Sequence, residues 1–585
     1  MRDQPSTPVD SGIYWIEHVI RHKGAPHLRS SSLDLKCNVG SSKFLRHLTR
    51  YGCSALDLCP PKHPFRSPHQ MNQRPSTEGG REVTRPSACK GYKILAVFPV
   101  PVHSHYTIAS KIVNELAHRG HEVTFVTPYL QKSAIKNLKE ISVESVIDIV
   151  NERKEHLYSL EDQTIFKTIT FLSHLGYIVV EKTFQNENVQ KLLHSEEHYD
   201  LVILPQFINE ALIGIAHHFK APFVLVTSMP LFPWSSFLLA HPAPSSYVPN
   251  LLTRYTGHMN FWQRLTNSFY DTYSILYYKW VMLPKHRELV RKYIPGEPDL
   301  YTFLTNGSLL LINCHVSSYE PIPQVPNAIE IGGLHIDEPR KLPDDLQKFL
   351  DDSVDGVVLF SMGSNLKSSA LPQIKRDAIL KAFSKLKQNV LWKWETDELP
   401  GQPKNVKLMK WLPQSDVLAH PNIKAFITHG GLFSTMESIY RGIPVIGIPV
   451  FADQKMNMAT AVSHGYAELV PLQALTEENL SSALNQILNN PRYKSNVMKR
   501  SSIMRDRPVK PMDLAIYWIE YVVRHQGAPH LRYPGMDLAW HQRNLLDVIA
   551  FAIISGITLL SVVFFIIKSI LKRVYARPDK NKKNN

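Results

Sequence analysis

The chain is poor in cysteine. Five occur in 585 residues, Cys37, Cys53, Cys59, Cys89 and Cys314, and only Cys314 lies beyond residue 90. No disulfide framework can be built in the body of the chain, and no Cys/His spacing resembles a zinc site. The redox compartment is therefore not legible from cysteine. A basic face is missing too. The formal net charge is +15, but residues 1–90 hold 14 Lys and Arg against 7 Asp and Glu, residues 568–585 hold 7 against 1, and the stretch between holds 45 against 43. A near-neutral body with basic ends argues against a nucleic-acid partner, whose footprint would be a basic face on the folded domain. No repeating aromatic and basic platform for single strands occurs either. There is no Asp-x-Asp triplet, and no apolar run precedes Gly91, where Ser87-Ala88-Cys89-Lys90 follows a polar stretch, so no secretory signal is visible.

Charge is also absent from Val548 to Ile567 (VIAFAIISGITLLSVVFFII), 20 residues in all. At 1.5 Å per residue such a helix spans about 30 Å, the thickness of a hydrocarbon core. Residues 545–567 thus read as a transmembrane helix. The basic tail 568–585 behind it predicts a cytosolic end. The closing KKNN looks like a dilysine retrieval signal of endoplasmic-reticulum membrane proteins. Asn306-Gly307-Ser308 and Asn479-Leu480-Ser481 are glycosylation sequons of the kind expected by chance in a chain this long. At the other end, residues 1–35 repeat residues 504–538, with 22 of 35 positions identical. Two copies at so long a period do not make a solenoid. Residues 36–90, rich in Pro, Ser, Arg and His, show no folding pattern.

From Gly91 the pattern changes. Tyr92–Pro99 (YKILAVFP) reads as a buried strand, Tyr106–His118 as a helix with Ile108, Ile112, Val113 and Leu116 on one face, and Glu122–Thr127 as a second strand. Strand, helix, strand in so short a span is a parallel βαβ unit, whose first connection, PVPVHSHY, faces the cleft at the carboxyl edge of the sheet. His103 and His105 both sit there. Tyr199–Leu204 is a further strand, followed by Pro205. The density of aromatics between Phe166 and Trp280 is mostly core, with a surplus compatible with an apolar pocket or membrane-facing loops. In the second half, Gly356–Ser361 is a strand followed by Met362-Gly363-Ser364-Asn365, a turn whose glycine and serine let backbone and hydroxyl approach a phosphate. Lys424–Thr428 is a strand, then His429-Gly430-Gly431, then a helix from Ser434, whose free N–H groups suit an anion. Ser434-Thr435-Met436-Glu437 also fits a capping box. Pro444–Val450 is a buried strand that leads to Phe451-Ala452-Asp453-Gln454.

The run WLPQSDVLAHPNIKAFITHGGLFSTMESIYRGIPVIGIPVFADQ, Trp411 to Gln454, resembles almost end to end the donor-binding signature of the UDP-glycosyltransferases, in particular the membrane-bound animal type. The resemblance runs from Tyr92 to the C-terminus. It implies the GT-B architecture, an α/β fold of two Rossmann-like domains facing a cleft, here with a C-terminal transmembrane helix. Residues 91–336 would bind the acceptor and 337–500 the UDP-sugar, while 501–544 would form return helices packing across the first domain. It assigns His105 as the base that takes the acceptor proton, with His103 as the rival. His suits the role by its ordinary pKa, and a helix N-terminus keeps it neutral. It places Ser361, Gly363, Ser364, Trp411, Gln414, His429, Gly430, Gly431, Ser434 and Glu437 around UDP, with Glu437 on the ribose, and Asp453 and Gln454 on the sugar hydroxyls. The family's acid that orients the base falls at Pro205, which cannot do so. Glu210 and a nearby backbone carbonyl are both open as substitutes.

The same resemblance implies an inverting transfer of a hexose to a hydroxyl of a small lipophilic acceptor, for conjugation or detoxification. The UDP-sugar is a co-substrate; without Asp-x-Asp no metal is expected, and the helix N-terminus and His429 would stabilise departing UDP. The wording HGGLFSTMES and RHQGAPHLR is most like insect enzymes, which puts UDP-glucose ahead of UDP-glucuronate. Expected partners are the UDP-sugar, the acceptor and the membrane; a homo-oligomer is left open. The expected location is the endoplasmic-reticulum membrane, single-pass, with a lumenal body. Residues 1–35 look like the tail of a neighbouring paralogue fused upstream. The alternative of a different class is a membrane-anchored protein that binds UDP-sugar or a lipophile with weak or no catalysis.

Overall fold

The computed structural model describes residues 8–28, 91–154, 157–161, 163–238 and 241–575. The described chain begins with helix α1 (Pro8–Arg21). The first large unit is a sheet of β1 (Lys93–Val97), β2 (Glu122–Thr127), β3 (Leu138–Ser142), β4 (Leu201–Pro205), β5 (Phe223–Thr227), β6 (Leu309–Ile312) and β7 (Ala328–Glu330), in the order β3-β2-β1-β4-β5-β6-β7. Every pairing is parallel. The central strands read as unbroken apolar runs because helices cover both faces. Helix α2 (His103–His118) buries Ile108, Ile112, Val113 and Leu116 on one of them. Helix α3 (Ile165–Gln185) belongs to the cluster on the other, with Val179 and Phe184. Helix α4 (Phe261–Tyr277) starts with a capping box between Asn260 and Gln263.

The second unit has β8 (Val357–Ser361), β9 (Asn389–Lys393), β10 (Val406–Met409), β11 (Ile423–Thr428), β12 (Val445–Gly447) and β13 (Ala467–Leu469), ordered β10-β9-β8-β11-β12-β13 and again parallel throughout. Its helices include α5 (Gln414–Leu418), α6 (Leu432–Arg441), α7 (Gln454–Ser463) and α8 (Pro491–Arg505). These are two Rossmann-like domains. In each the strand order reverses once, between β1 and β4 and between β8 and β11, and a crevice opens outside the carboxyl ends of the strands at such a switch point. The loops after β1, β4, β8 and β11 therefore surround the site.

Helix α9 (Pro511–Arg524) returns to the first domain, with Ala515, Ile516, Ile519 and Val522 in the same apolar cluster as α2. Helix α10 (Leu546–Tyr575) is long and apolar enough to cross a membrane, and the protein covers none of it. The tail beyond Tyr575, KKNN included, lies outside the described residues, as do residues 1–7 and 29–90.

The N-terminal repeat is folded onto the rest of the chain. Arg21 grips Asp506 with Nε–Oδ2 3.1 Å and Nη2–Oδ1 3.0 Å, and His22 Nε2 lies 2.8 Å from Oδ2. Tyr14 donates its hydroxyl to the Asp506 carbonyl at 2.5 Å. The same sequence thus meets two environments. Ile516, Ile519 and Val522 are fully buried, while their counterparts Ile13, Ile16 and Val19 are 51%, 65% and 44% exposed.

Candidate active site

A cavity of about 330 Å³ runs between the two domains and is lined from both. Its donor side starts at the end of β8. The chain turns at Gly363 (φ +80°), and Gly363 N–H bonds the Ser361 hydroxyl at 3.2 Å. A Cβ on Gly363 would lie 2.5 Å from His429 Cε1, and one on Gly431 would lie 2.6 Å from His429 Nε2. The two glycines are therefore the walls of the slot that holds the His429 ring. Burial, and then the Lys393 ammonium, lower the His429 pKa to about 4, so the imidazole is neutral and keeps an N–H to donate.

Helix α6 begins at Leu432, two residues earlier than the sequence pattern predicts, with Gly431 as N-cap and no side-chain cap. Its first N–H groups face the cavity without an internal acceptor, the ordinary state of a helix N-terminus and a ready anion site. Ser434 sits inside this first turn, so the capping-box reading of Ser434 and Glu437 is not realised. Instead Gln414 Nε2 donates to Ser434 Oγ (3.0 Å) and to Glu437 Oε2 (2.6 Å). Burial raises Glu437 to about 7. Trp411 is 61% exposed at the cavity mouth, with its ring 5.8 Å from that of His103 across the cleft. At the far end Asp453 accepts from Asn457 Nδ2 (2.7 Å) and is raised to about 6 by burial. Gln454 Oε1 accepts from the Val450 and Phe451 N–H groups, which shapes the turn at Ala452 (φ +55°). Ser364, Gly431 and Gln454 line the cavity; Gly430 (φ +81°) lies behind it, where a Cβ would meet Met458 at 2.5 Å.

Sequence reasoning missed Lys393. The last residue of β9, it reaches Gly363 O (2.9 Å) and Glu395 (3.1 Å) and lines the cavity 5.7 Å from the Trp411 ring. Its signal was a lysine ending an apolar strand at the carboxyl edge of the sheet.

On the acceptor side α2 starts three residues before the predicted bound, which puts His105 in its first turn. His105 is 4% exposed, lines the cavity, and is lowered to about 4 by burial. Its Nε2 lies 3.1 Å from Ser228 Oγ, and the Phe207 ring packs edge-on at 4.7 Å. His103 stacks on Tyr129 at 4.9 Å instead. Glu210 is not paired with His105: it accepts from Gln206 Nε2 at 3.5 Å and lies 3.9 Å from His286 Nε2. Glu210 is fully buried and is not among the residues that line the cavity. Leu172, Leu175, Val179 and Phe232 form the apolar wall beyond.

The residues that resemble a nucleotide-sugar signature thus gather on or just behind one wall of the cavity, and His105 stands on the other. A family model described as UDP-glucoronosyl and UDP-glucosyl transferase matches residues 1–38 and 93–584. The chain belongs to the UDP-glycosyltransferase family. UDP-glycosyltransferase UGT5 of Dactylopius coccus is 38% identical over 85% of this chain and 98% of its own length. UDP-glucosyltransferase 2 of the same insect is 36% identical, over 85% and 97%. Rat UDP-glucuronosyltransferase 2B1 is 34% identical, over 83% and 93%. This UDP-glycosyltransferase is accordingly a glycosyltransferase that uses a UDP-sugar donor. Among the described residues, the cluster of metal-ligating type is His18, His22 and Asp506, and none of the three lines the cavity.

Proposed function

We propose that this UDP-glycosyltransferase transfers a hexose, glucose in preference to glucuronate, to a hydroxyl of a small lipophilic acceptor, with inversion and without a metal. The observation that carries it is the shared cavity: a neutral buried His105 on an apolar acceptor wall faces the His429 slot, the free start of α6 and Asp453. His105 takes the acceptor proton, the acceptor oxygen attacks the anomeric carbon from the side opposite UDP, and the bond to the diphosphate breaks. The electron pair leaves with UDP, where the α6 N–H groups, His429 and Lys393 meet the growing charge. Glucose is favoured because the Dactylopius coccus relative at 36% identity is named a glucosyltransferase. The sites for Trp411 on uracil, Glu437 on ribose, and Asp453 and Gln454 on the sugar are part of the proposal, as are a role in conjugation, the endoplasmic-reticulum membrane and a lumenal body anchored by α10.

The test is UDP release by the full chain in microsomes, with UDP-glucose and UDP-glucuronate against a panel of phenols, beside His105→Ala. Turnover with UDP-glucose that His105→Ala abolishes is expected. UDP binding without turnover, unchanged by that substitution, would overturn catalysis and favour the binding-protein reading.

A further inference from the structure

The base stands in a neutral pocket. Burial is what lowers the proton affinity of His105, and among the described residues no carboxylate bears on it. Its polar partner is Ser228, 4% exposed. That serine is itself pinned: the fully buried Asn313 donates Nδ2 to the Ser228 carbonyl (3.0 Å) and its N–H to the Thr227 carbonyl (3.0 Å).

A second neutral group lines the same cavity. Asn209 is 3% exposed, its Oδ1 accepts from Phe207 N–H at 2.9 Å, and its Nδ2 has no partner among the described residues. A buried amide nitrogen without an acceptor is costly unless a ligand supplies one. The loop that presents it is strained and held. Ile208, a β-branched residue, adopts φ +51°. Helix α3 presses on it so closely that a Cβ at Gly176 would lie 2.3 Å from the Ile208 carbonyl. Strain of this kind persists only where the surroundings over-determine it, and it collects at functional sites.

We propose that Ser228 takes the place of the missing acid as the residue that positions His105, that Asn209 Nδ2 donates to the acceptor oxygen, and that together they restrict this site to acidic hydroxyls, phenols or enols, at the expense of aliphatic alcohols. The proposal rests on the transferase reading above. Deprotonating an alcohol in the transition state makes an imidazolium, and a serine hydroxyl supports that charge far less than a carboxylate does. A phenol, with a pKa of about 10, gives up its proton far more readily than an alcohol, which is close to water at about 16. A phenolate entering the pocket meets a neutral hydroxyl and an amide donor, where a carboxylate would repel it. The O–H proton goes to His105, or to solvent before binding; the oxygen bonds the anomeric carbon, and the pair from the broken bond leaves on UDP.

The experiment uses the full chain in microsomes with each UDP-sugar and three acceptors of similar bulk and falling acidity: para-nitrophenol, para-methoxyphenol and benzyl alcohol. kcat/KM should fall in that order, by about a hundredfold or more from first to last. Ser228→Ala should steepen the fall with UDP binding unchanged, and Ser228→Thr, which keeps the hydroxyl, should restore it. Ser228→Asp should raise transfer to benzyl alcohol relative to para-nitrophenol. Asn209→Ala should raise KM for the phenols more than for benzyl alcohol, whose oxygen carries less charge. Equal transfer to para-nitrophenol and benzyl alcohol by the unmodified protein overturns this proposal and leaves the transferase reading intact. Absence of transfer from either donor to any of the three overturns both.

Discussion

Replacing Gly363 by alanine tests the donor site at its tightest point. Two effects add. The backbone at this position has φ +80°, a region that costs an L-residue about 1 kcal/mol relative to glycine. The new methyl would also stand 2.5 Å from His429 Cε1 and 3.1 Å from Nε2, closer than carbon atoms approach, so the ring must leave its slot. In the proposed role of His429, the loss of that one donor to a diphosphate oxygen is worth about 1.5–3 kcal/mol, or roughly ten- to a hundredfold in KM for the UDP-sugar. Gly401→Ala separates the two effects. Gly401 has φ +76°, but the nearest atom to a Cβ there is Leu380 Cδ1 at 3.7 Å, ordinary contact. Both variants should lose some thermal stability through the backbone, Gly363→Ala the more because the buried His429 ring must also move. Only Gly363→Ala should lose UDP-sugar affinity, read from initial rates at varied donor and from UDP titration. A Gly363→Ala protein with KM within about twofold of the unmodified one would refute the slot and the part assigned to His429.

Three further outcomes follow from other parts of the molecule. Burial holds Glu437 at about 7, so it is a carboxylate above that pH and protonated below it. In the proposed role of ribose acceptor it should make KM for the UDP-sugar rise as pH falls through 7, and Glu437→Gln should flatten that profile; an unchanged profile would remove Glu437 from the site. Asp506→Asn removes the carboxylate that Arg21 and His22 hold, so limited proteolysis should then cut within residues 8–28 faster, while UDP binding stays the same. Deleting residues 546–575 should release the protein from membranes on alkaline carbonate washing; retention would mean that another surface anchors it.

His105 was legible as a cleft residue, but its surroundings were not. His105 lies after the first strand in a pattern that any βαβ unit shows, and the cleft side of that loop follows from strand order. Its partner was not legible, because Ser228 is 123 positions away and comes beside His105 only when β5 takes its place in the sheet. Glu210 was the natural substitute by proximity in sequence, but nearness along the chain says little about direction after a turn wound through a left-handed Ile208. Lys393 was hidden for the same reason: it is one lysine among many until β9 aligns beside β8 and carries it to Gly363.

What the sequence alone determined is the local part. The apolar runs became strands within a residue or two, Glu122–Thr127 to the residue, except that Pro444–Val450 is strand only over Val445–Gly447; period and β-branching act on the nearest neighbours. The uncharged run from Val548 to Ile567 lies inside α10, since 20 apolar residues leave little other choice. The repeat shows where that determination stops. Residues 8–21 and 511–524 form the same helix in both copies, as shared local pattern requires. Only the tertiary structure decided that Ile516, Ile519 and Val522 fill the first domain's core while Ile13, Ile16 and Val19 face outward. That core has room for one such helix, and the copy that follows α8 is delivered to it by a short connection, so the other copy is held by its polar contacts to Asp506.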